Sequence, residues 1–123
     1  GPGGDPLHVE EMIAALAICA DATHPQHAAA AASHGAHLYA ASVMIDEDGY
    51  TRKVGLLQNY AKVHRMSVMM ANYAGATGGW LSAGKSAIWS EDGRQVIAST
   101  GAEEALVIAQ KQAGKWTGSV HPL

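Results

Sequence analysis

Apolar residues along this chain fall into short unbroken stretches and one stripe at helical spacing. Met12–Ile18 (Met-Ile-Ala-Ala-Leu-Ala-Ile) is apolar at every position, which predicts a strand covered on both faces. Residues 38 to 45 and 67 to 73 read as two more strands of that kind. Between the first two, Thr23 followed three positions later by Gln26 predicts a capping box, with Pro25 in the first turn. That helix runs to Ser33 or His34 and is stopped by Gly35. Leu56, Leu57, Tyr60, Ala61 and His64 form the stripe of a second helix, with Gln58, Asn59, Lys62 and Arg65 turned away. Residues 46 to 50, Asp-Glu-Asp-Gly-Tyr, read as a turn or loop, and 75 to 79 as a flexible glycine-rich loop. Two strands, 85 to 90 and 95 to 99, are joined across Asp92-Gly93, a strong hairpin signal. Residues 105 to 110 form a final strand, and the tail from Lys111 reads as irregular. Residues 7 to 11 are ambiguous between a short helix and a preceding strand. The predicted order β-α-β-α-β-β-β implies an α/β layer, one mixed sheet with its helices on one face.

Composition bounds this picture. The 123 residues suffice for one domain with a real core. Net charge is -3 with the basic residues scattered, which excludes a nucleic-acid surface. The single cysteine excludes an internal disulfide framework and fits a reducing, cytoplasmic location. No apolar stretch is long enough to span a membrane, and no signal peptide is visible. Gly1-Pro2-Gly3-Gly4 resembles the remnant of a protease site, so residues 1 to 6 are set apart as such a remnant or a disordered lead. The expected domain then covers 7 to 110, followed by the tail from 111 to 123.

Cys19 stands at the end of the first apolar stretch and directly before a helix start. A strand, a sharp turn and a helix are how α/β enzymes hold a nucleophile clear of the sheet, near backbone N–H groups that accept developing negative charge. The helix start favours an anion and so raises the fraction of reactive thiolate. The alternative is a cysteine that serves as a small buried hydrophobe.

Ile18-Cys-Ala-Asp21 with Pro25, Ala71-Asn-Tyr-Ala-Gly75, and Gly79-Trp-Leu-Ser-Ala-Gly-Lys-Ser-Ala-Ile-Trp89 with Asp92-Gly93 resemble the nitrilase superfamily of carbon–nitrogen hydrolases. The motifs keep the family's order from about Ile13 to Ile108 and correspond to the C-terminal half of its α-β-β-α sandwich. The resemblance implies Cys19 as nucleophile, with thioester chemistry on an amide-type substrate and no cofactor. The family's glutamate base and intermediate-stabilising lysine belong to the preceding half, and no residue here takes their place. The isolated chain is therefore expected to be inert towards amides. The backbone N–H of Ala20 is one expected oxyanion donor. Asn72 and Ser86 match positions that shape the pocket wall, and Ser42, with its neighbours Ala41 and Val43, stands at a strand end beside it. Trp80 is the tryptophan placed to touch a ligand. Asp21 and Pro25 match structural positions near the site. Ala20, Thr23, His24 and Gln26 depart from the commonest form of the cysteine motif, so no substrate is carried over.

His24, His27, His34 and His37 invite a metal reading. On one helix, however, His27 and His34 lie about 10 Å apart along the axis, too far to clasp one ion. Only His24 and His27 remain as co-ligands, a weak surface site, so no metal is assigned. A Cys19–His24 pair, with the imidazole as base, is a further option. Met66, Met69 and Met70 read as core filler, and Trp89 and Trp116 as packing or interface anchors. If half of the sandwich lies elsewhere, an apolar sheet face is left for a partner carrying the other half or for a second copy of this chain. The non-catalytic alternative is an oligomerisation or binding module that keeps the fold.

Overall fold

The computed structural model describes residues 5–77, 80–101 and 103–123, without the side chains of 75–77, 80 and 81. Gly1 to Gly4 and the Gly78-Gly79 end of the expected flexible loop lie outside the described residues. The strands are β1 (Leu7–Val9), β2 (Met12–Ile18), β3 (Leu38–Val43), β4 (Ser67–Asn72), β5 (Ala74–Thr77), β6 (Trp80–Ala83), β7 (Ala87–Trp89), β8 (Gln95–Ala98), β9 (Ala105–Gln112) and β10 (Lys115–Pro122). The helices are α1 (Pro25–Ser33) and α2 (Glu47–His64), with a short 3-10 turn over Cys19–Thr23.

The main sheet has six strands in the order β1-β2-β3-β4-β7-β8. Strands β2, β3 and β4 are parallel, and the other neighbours are antiparallel. Register lines up Ala15, Tyr39 and Val68 across the parallel strands, and then Trp89. That row joins Ala28 and Ala31 of α1 and Leu57, Tyr60 and Ala61 of α2 in one buried cluster, so both helices cover the same face. The small alanine face of α1 lets the helix approach the sheet closely. Tyr39 and Tyr60 meet edge-to-face at 5.7 Å between ring centroids.

The opposite face carries Leu16, Ile18, Ala40, Met69 and Ile88 at the alternate positions. Its exposure is lowest on β7, 8% at Ile88, is 36% at Met69 on β4, and is highest on β2, 44% at Leu16 and 63% at Ile18. The expectation that β2 is covered on both faces fails here, because both helices sit on one side. Met69 accordingly is not core filler, whereas Met66 and Met70 are buried.

Several expected boundaries differ. Residues 47 to 50 are the first turn of α2 rather than a loop. Asp46 caps the helix, its Oδ1 accepting from Gly49 N at 2.8 Å, and Glu47 and Asp48 add favourable negative charge at the positive end of the helix. The expected Thr23–Gln26 capping box does not form. Thr23 Oγ1 turns back to donate to Ala20 O at 2.7 Å, and His24 occupies the N-cap without a side-chain bond. Residues 74 to 77 form β5 and pair with β6, and the ambiguous lead at 7 to 9 forms edge strand β1. The tail from Lys111 is not irregular, because β9 runs to Gln112 and pairs along its length with β10. This hairpin rests on β8 through Gly118, where a Cβ would stand 2.5 Å from Ile97 Cβ. Trp116 Nε1 donates to Glu91, which also receives Lys111 Nζ at 3.0 Å. Trp89 is an anchor of the core itself, 2% exposed.

Candidate active site

Cys19 follows β2 directly and opens the 3-10 turn with φ at +49°, inside the left-handed region that an L-residue enters at a cost of about 1–2 kcal/mol. Such strain persists only where the surroundings enforce it, and it concentrates at functional turns. Here the enforcement is visible. Asp21 Oδ2 accepts from Ile18 N at 3.4 Å, on the strand side of the turn. The Thr23 hydroxyl holds Ala20 O, and Tyr60 of α2 donates to Ala22 O at 2.8 Å from a buried position. Behind these, His27 Nε2 stands 3.9 Å from Asp21 Oδ2, and His27 Nδ1 shares a 2.8 Å hydrogen bond with the Tyr39 hydroxyl. Burial pushes the Tyr60 hydroxyl above its usual range, and burial together with nearby Tyr60 and Asp21 pushes Tyr39 further. Both phenols therefore stay protonated at neutral pH.

The thiol itself is exposed. It opens on a cleft of about 470 Å³. The elbow supplies one wall through Cys19, Ala20, Ala22 and Thr23. The exit of β3 supplies a second through Val43, Met44 and Ile45. The first turns of α2 supply a third through Arg52, Lys53, Leu56 and Leu57. The first N–H groups of a helical turn lack intrahelical acceptors, so the Ala20 N–H beside the thiol is free of that bond.

Of the residues expected at the site, the fold brings together Cys19, Ala20 and Val43. Asp21 braces the elbow, and Pro25 is the first residue of α1. Ser42 lies on the open face of the sheet, in register with Ile18 and Ala71. Asn72 and Ser86 line a different cleft, with Lys85, Glu103 and Glu104. The Asn72 amide is fully occupied there: Oδ1 accepts from Ile45 N at 2.7 Å, and Nδ2 donates to Ile45 O and Gly84 O. Ser86 Oγ accepts from Asn72 N at 2.9 Å. Trp80 begins β6 opposite Thr77, and its side chain lies outside the described residues. His24 is exposed and does not line the cleft of Cys19. Among the described residues no group of three or more His, Cys, Asp or Glu is placed to hold a metal, and no helix is long and apolar enough to cross a membrane. Arg52, Lys53, Met44 and Leu56 were not expected at the site. A signal for the two cations existed: with Asp46 as N-cap, Arg52 and Lys53 fall four positions before Leu56 and Leu57, on the same helical face.

Residues 1–118 match the carbon-nitrogen hydrolase family. The chain belongs to that family. Among solved structures, it resembles the NitN amidase from Nesterenkonia sp. AN1 at 25% identity and a TM-score of 0.73, over 81% of this chain and 40% of that one. A glutamate-to-glutamine mutant of that amidase, showing Michael addition of acrylamide at its active-site cysteine, matches with the same figures. A further structure of an amidase from Nesterenkonia sp. matches at 22% identity and a TM-score of 0.73, over 98% of this chain and 41% of that chain. No curated protein matches the sequence. The chain thus spans about 40% of the length of the family amidases it resembles. The family match and these structures agree with the main mixed sheet and one-sided helices described above as a nitrilase-like fold.

Proposed function

We propose that this chain supplies the nucleophile of an amidase-type carbon–nitrogen hydrolase, with Cys19 forming a thioester. The observation that carries this reading is the left-handed elbow that lifts an exposed thiol into a cleft. Acrylamide addition at the active-site cysteine of the Nesterenkonia amidase supports it. In the proposed reaction the Cys19 thiolate attacks the amide carbonyl carbon, and the oxyanion is received by the Ala20 N–H. The C–N bond then breaks and the amine leaves with a proton. Water attacks the thioester, releasing the acid and returning the thiol.

Proton transfer to the leaving amine contributes about 10²–10⁴-fold. The family's glutamate would bring it, together with the lysine that stabilises the intermediate, from a second α/β layer, either on a partner polypeptide or elsewhere in a longer chain. The open face bearing Leu16, Ile18 and Met69 is where that layer would seat. Alone, the chain should leave simple amides intact. The test mixes it with a polypeptide carrying a first family layer and follows ammonia release from a panel of aliphatic amides, both neutral and carboxylate-ended, with hydroxylamine to trap the thioester. Release and hydroxamate should appear only in the mixture and vanish with Cys19→Ala. An assembly that forms yet releases nothing, or one that is indifferent to Cys19→Ala, would overturn the proposal.

A further inference from the structure

Arg52 and Lys53 are the charged residues lining the cleft of Cys19, and the rest of its wall is small or apolar apart from Thr23. Among the described residues neither cation forms an ion pair. The carboxylates of the adjoining helix start do not line the cleft, and two of them are engaged: Asp46 accepts from Gly49 N, and Glu47 holds Lys85 Nζ at 2.8 Å. Asp48 sits in the first turn of α2, also outside the lining. The Lys53 side chain runs beside Gly49, where an added Cβ would stand in ordinary contact with its Cε at 3.5 Å.

Two unpaired cations in an open cleft are solvated at little cost. Once a second layer covers the site they lose water, and an uncompensated charge then becomes expensive. A substrate that brings its own negative charge removes that penalty, while the walls at Val43, Ile45 and Leu56 suit methylene groups. From this geometry we infer that the amide taken by this site has an aliphatic acyl chain ending in an anion such as a carboxylate. Arg52 and Lys53 receive that anion and set the specificity. The inference rests on Cys19 being the nucleophile of an amidase, as proposed above.

The chain can be tested as it stands by alkylating Cys19 with iodoacetate and with iodoacetamide, which differ in charge and are attacked by the same thiolate, with iodide leaving. In the ratio of the two rates the thiolate fraction cancels, so the readout is independent of how reactive the thiol is. Clefts lined by one sign of charge concentrate counter-ions. The iodoacetate-to-iodoacetamide ratio should therefore be about three- to tenfold higher in the folded chain than in the same chain unfolded in urea at equal ionic strength. The Arg52→Gln/Lys53→Gln double variant should bring the ratio down to the unfolded value, and so should salt near 1 M, where the screening length is about 3 Å. Lys62→Gln, on the outward face of α2, should keep the raised ratio. An equal ratio in folded and unfolded chain would overturn the inference, as would a fall with Lys62→Gln as large as with the double variant. A slow iodoacetamide reaction alone would count against the nucleophile instead, so the two readings fail separately.

Discussion

The two faces of the main sheet are built from the same strands, one residue out of phase, yet they are finished differently. On the helix-covered face Tyr39, Val68 and Trp89 are 0–2% exposed, while on the other face Leu16 and Ile18 are 44% and 63% exposed. Hydrophobicity does not separate them, because both rows are apolar. What separates them is the presence of α1 and α2 on one side, and on the other only the β9–β10 hairpin, which covers Ile97 at the β8 edge. A strand that is apolar on both faces therefore reports that both faces are meant to be covered, without saying by what. In this chain one cover is supplied internally by α1 and α2, and on the other face β2 is left open at Leu16 and Ile18.

Truncation should give opposite signatures on the two faces. Trp89→Ala removes a fully buried side chain and should cost about 3–5 kcal/mol of stability, read as a lower urea midpoint. Leu16→Ala, exposed in the single chain, should cost well under half of that and instead weaken association, read by sedimentation across concentrations. Equal costs for the two would mean that the open face is already buried in solution.

How much of this was legible in the sequence depends on the interaction that decided each element. The parallel strands were legible because an unbroken apolar stretch has few other uses, and the α2 stripe because Leu57, Tyr60 and Ala61 repeat at helical spacing. The start of α2 was not, because Asp-Glu-Asp-Gly is equally a turn sequence, and only the Asp46 carboxylate bonding Gly49 N decides for the helix. Arg52 and Lys53 were hidden by that same misreading. The second half of the terminal hairpin was hidden because β10 is polar and glycine-containing and is held by pairing with β9 rather than by burial. Cys19 was legible as a candidate, but the +49° backbone angle that makes it an elbow is imposed by partners such as Tyr60, distant in sequence.

The partial cover over Ile97 gives the next largest effect. Gly118→Ala would place a methyl 2.5 Å from Ile97 Cβ and 2.8 Å from its Cγ2, which forces the hairpin off β8. Overpacking of this kind costs about 1–3 kcal/mol. The loss should appear as earlier proteolysis within β9–β10 while the six-stranded sheet keeps its protection. Uniform loss across the whole molecule would instead make the hairpin part of one cooperative core.

Tyr60→Phe sharpens the comparison from the covered side. The ring stays in the core and only the bond to Ala22 O is lost, a change of about 0.5–1.5 kcal/mol. Because Ala22 belongs to the Cys19 elbow, acrylamide addition at Cys19 should slow relative to the same chain in urea. Unchanged kinetics with reduced stability would show that Asp21 and Thr23 hold the elbow without help from α2.

The smallest effect lies at the outer end of the hairpin, where Glu91 meets Lys111 and Trp116. Burial works to raise the Glu91 carboxyl, but the bonds from Lys111 and Trp116 outweigh it and hold the group below its ordinary 4.5. A depressed folded-state value means that the unfolded chain binds its proton first as pH falls. The stabilisation is then complete above 4.5 and disappears as pH drops through the folded value. The carboxylate is more than a third exposed, so solvent screening limits its worth to under about 1 kcal/mol. Thermal midpoints of the wild type and Glu91→Gln should accordingly differ at neutral pH and converge in acid. A gap that persists in acid would assign the contact to packing of Trp116 rather than to charge, and the cover over this edge of the open face would then be insensitive to pH.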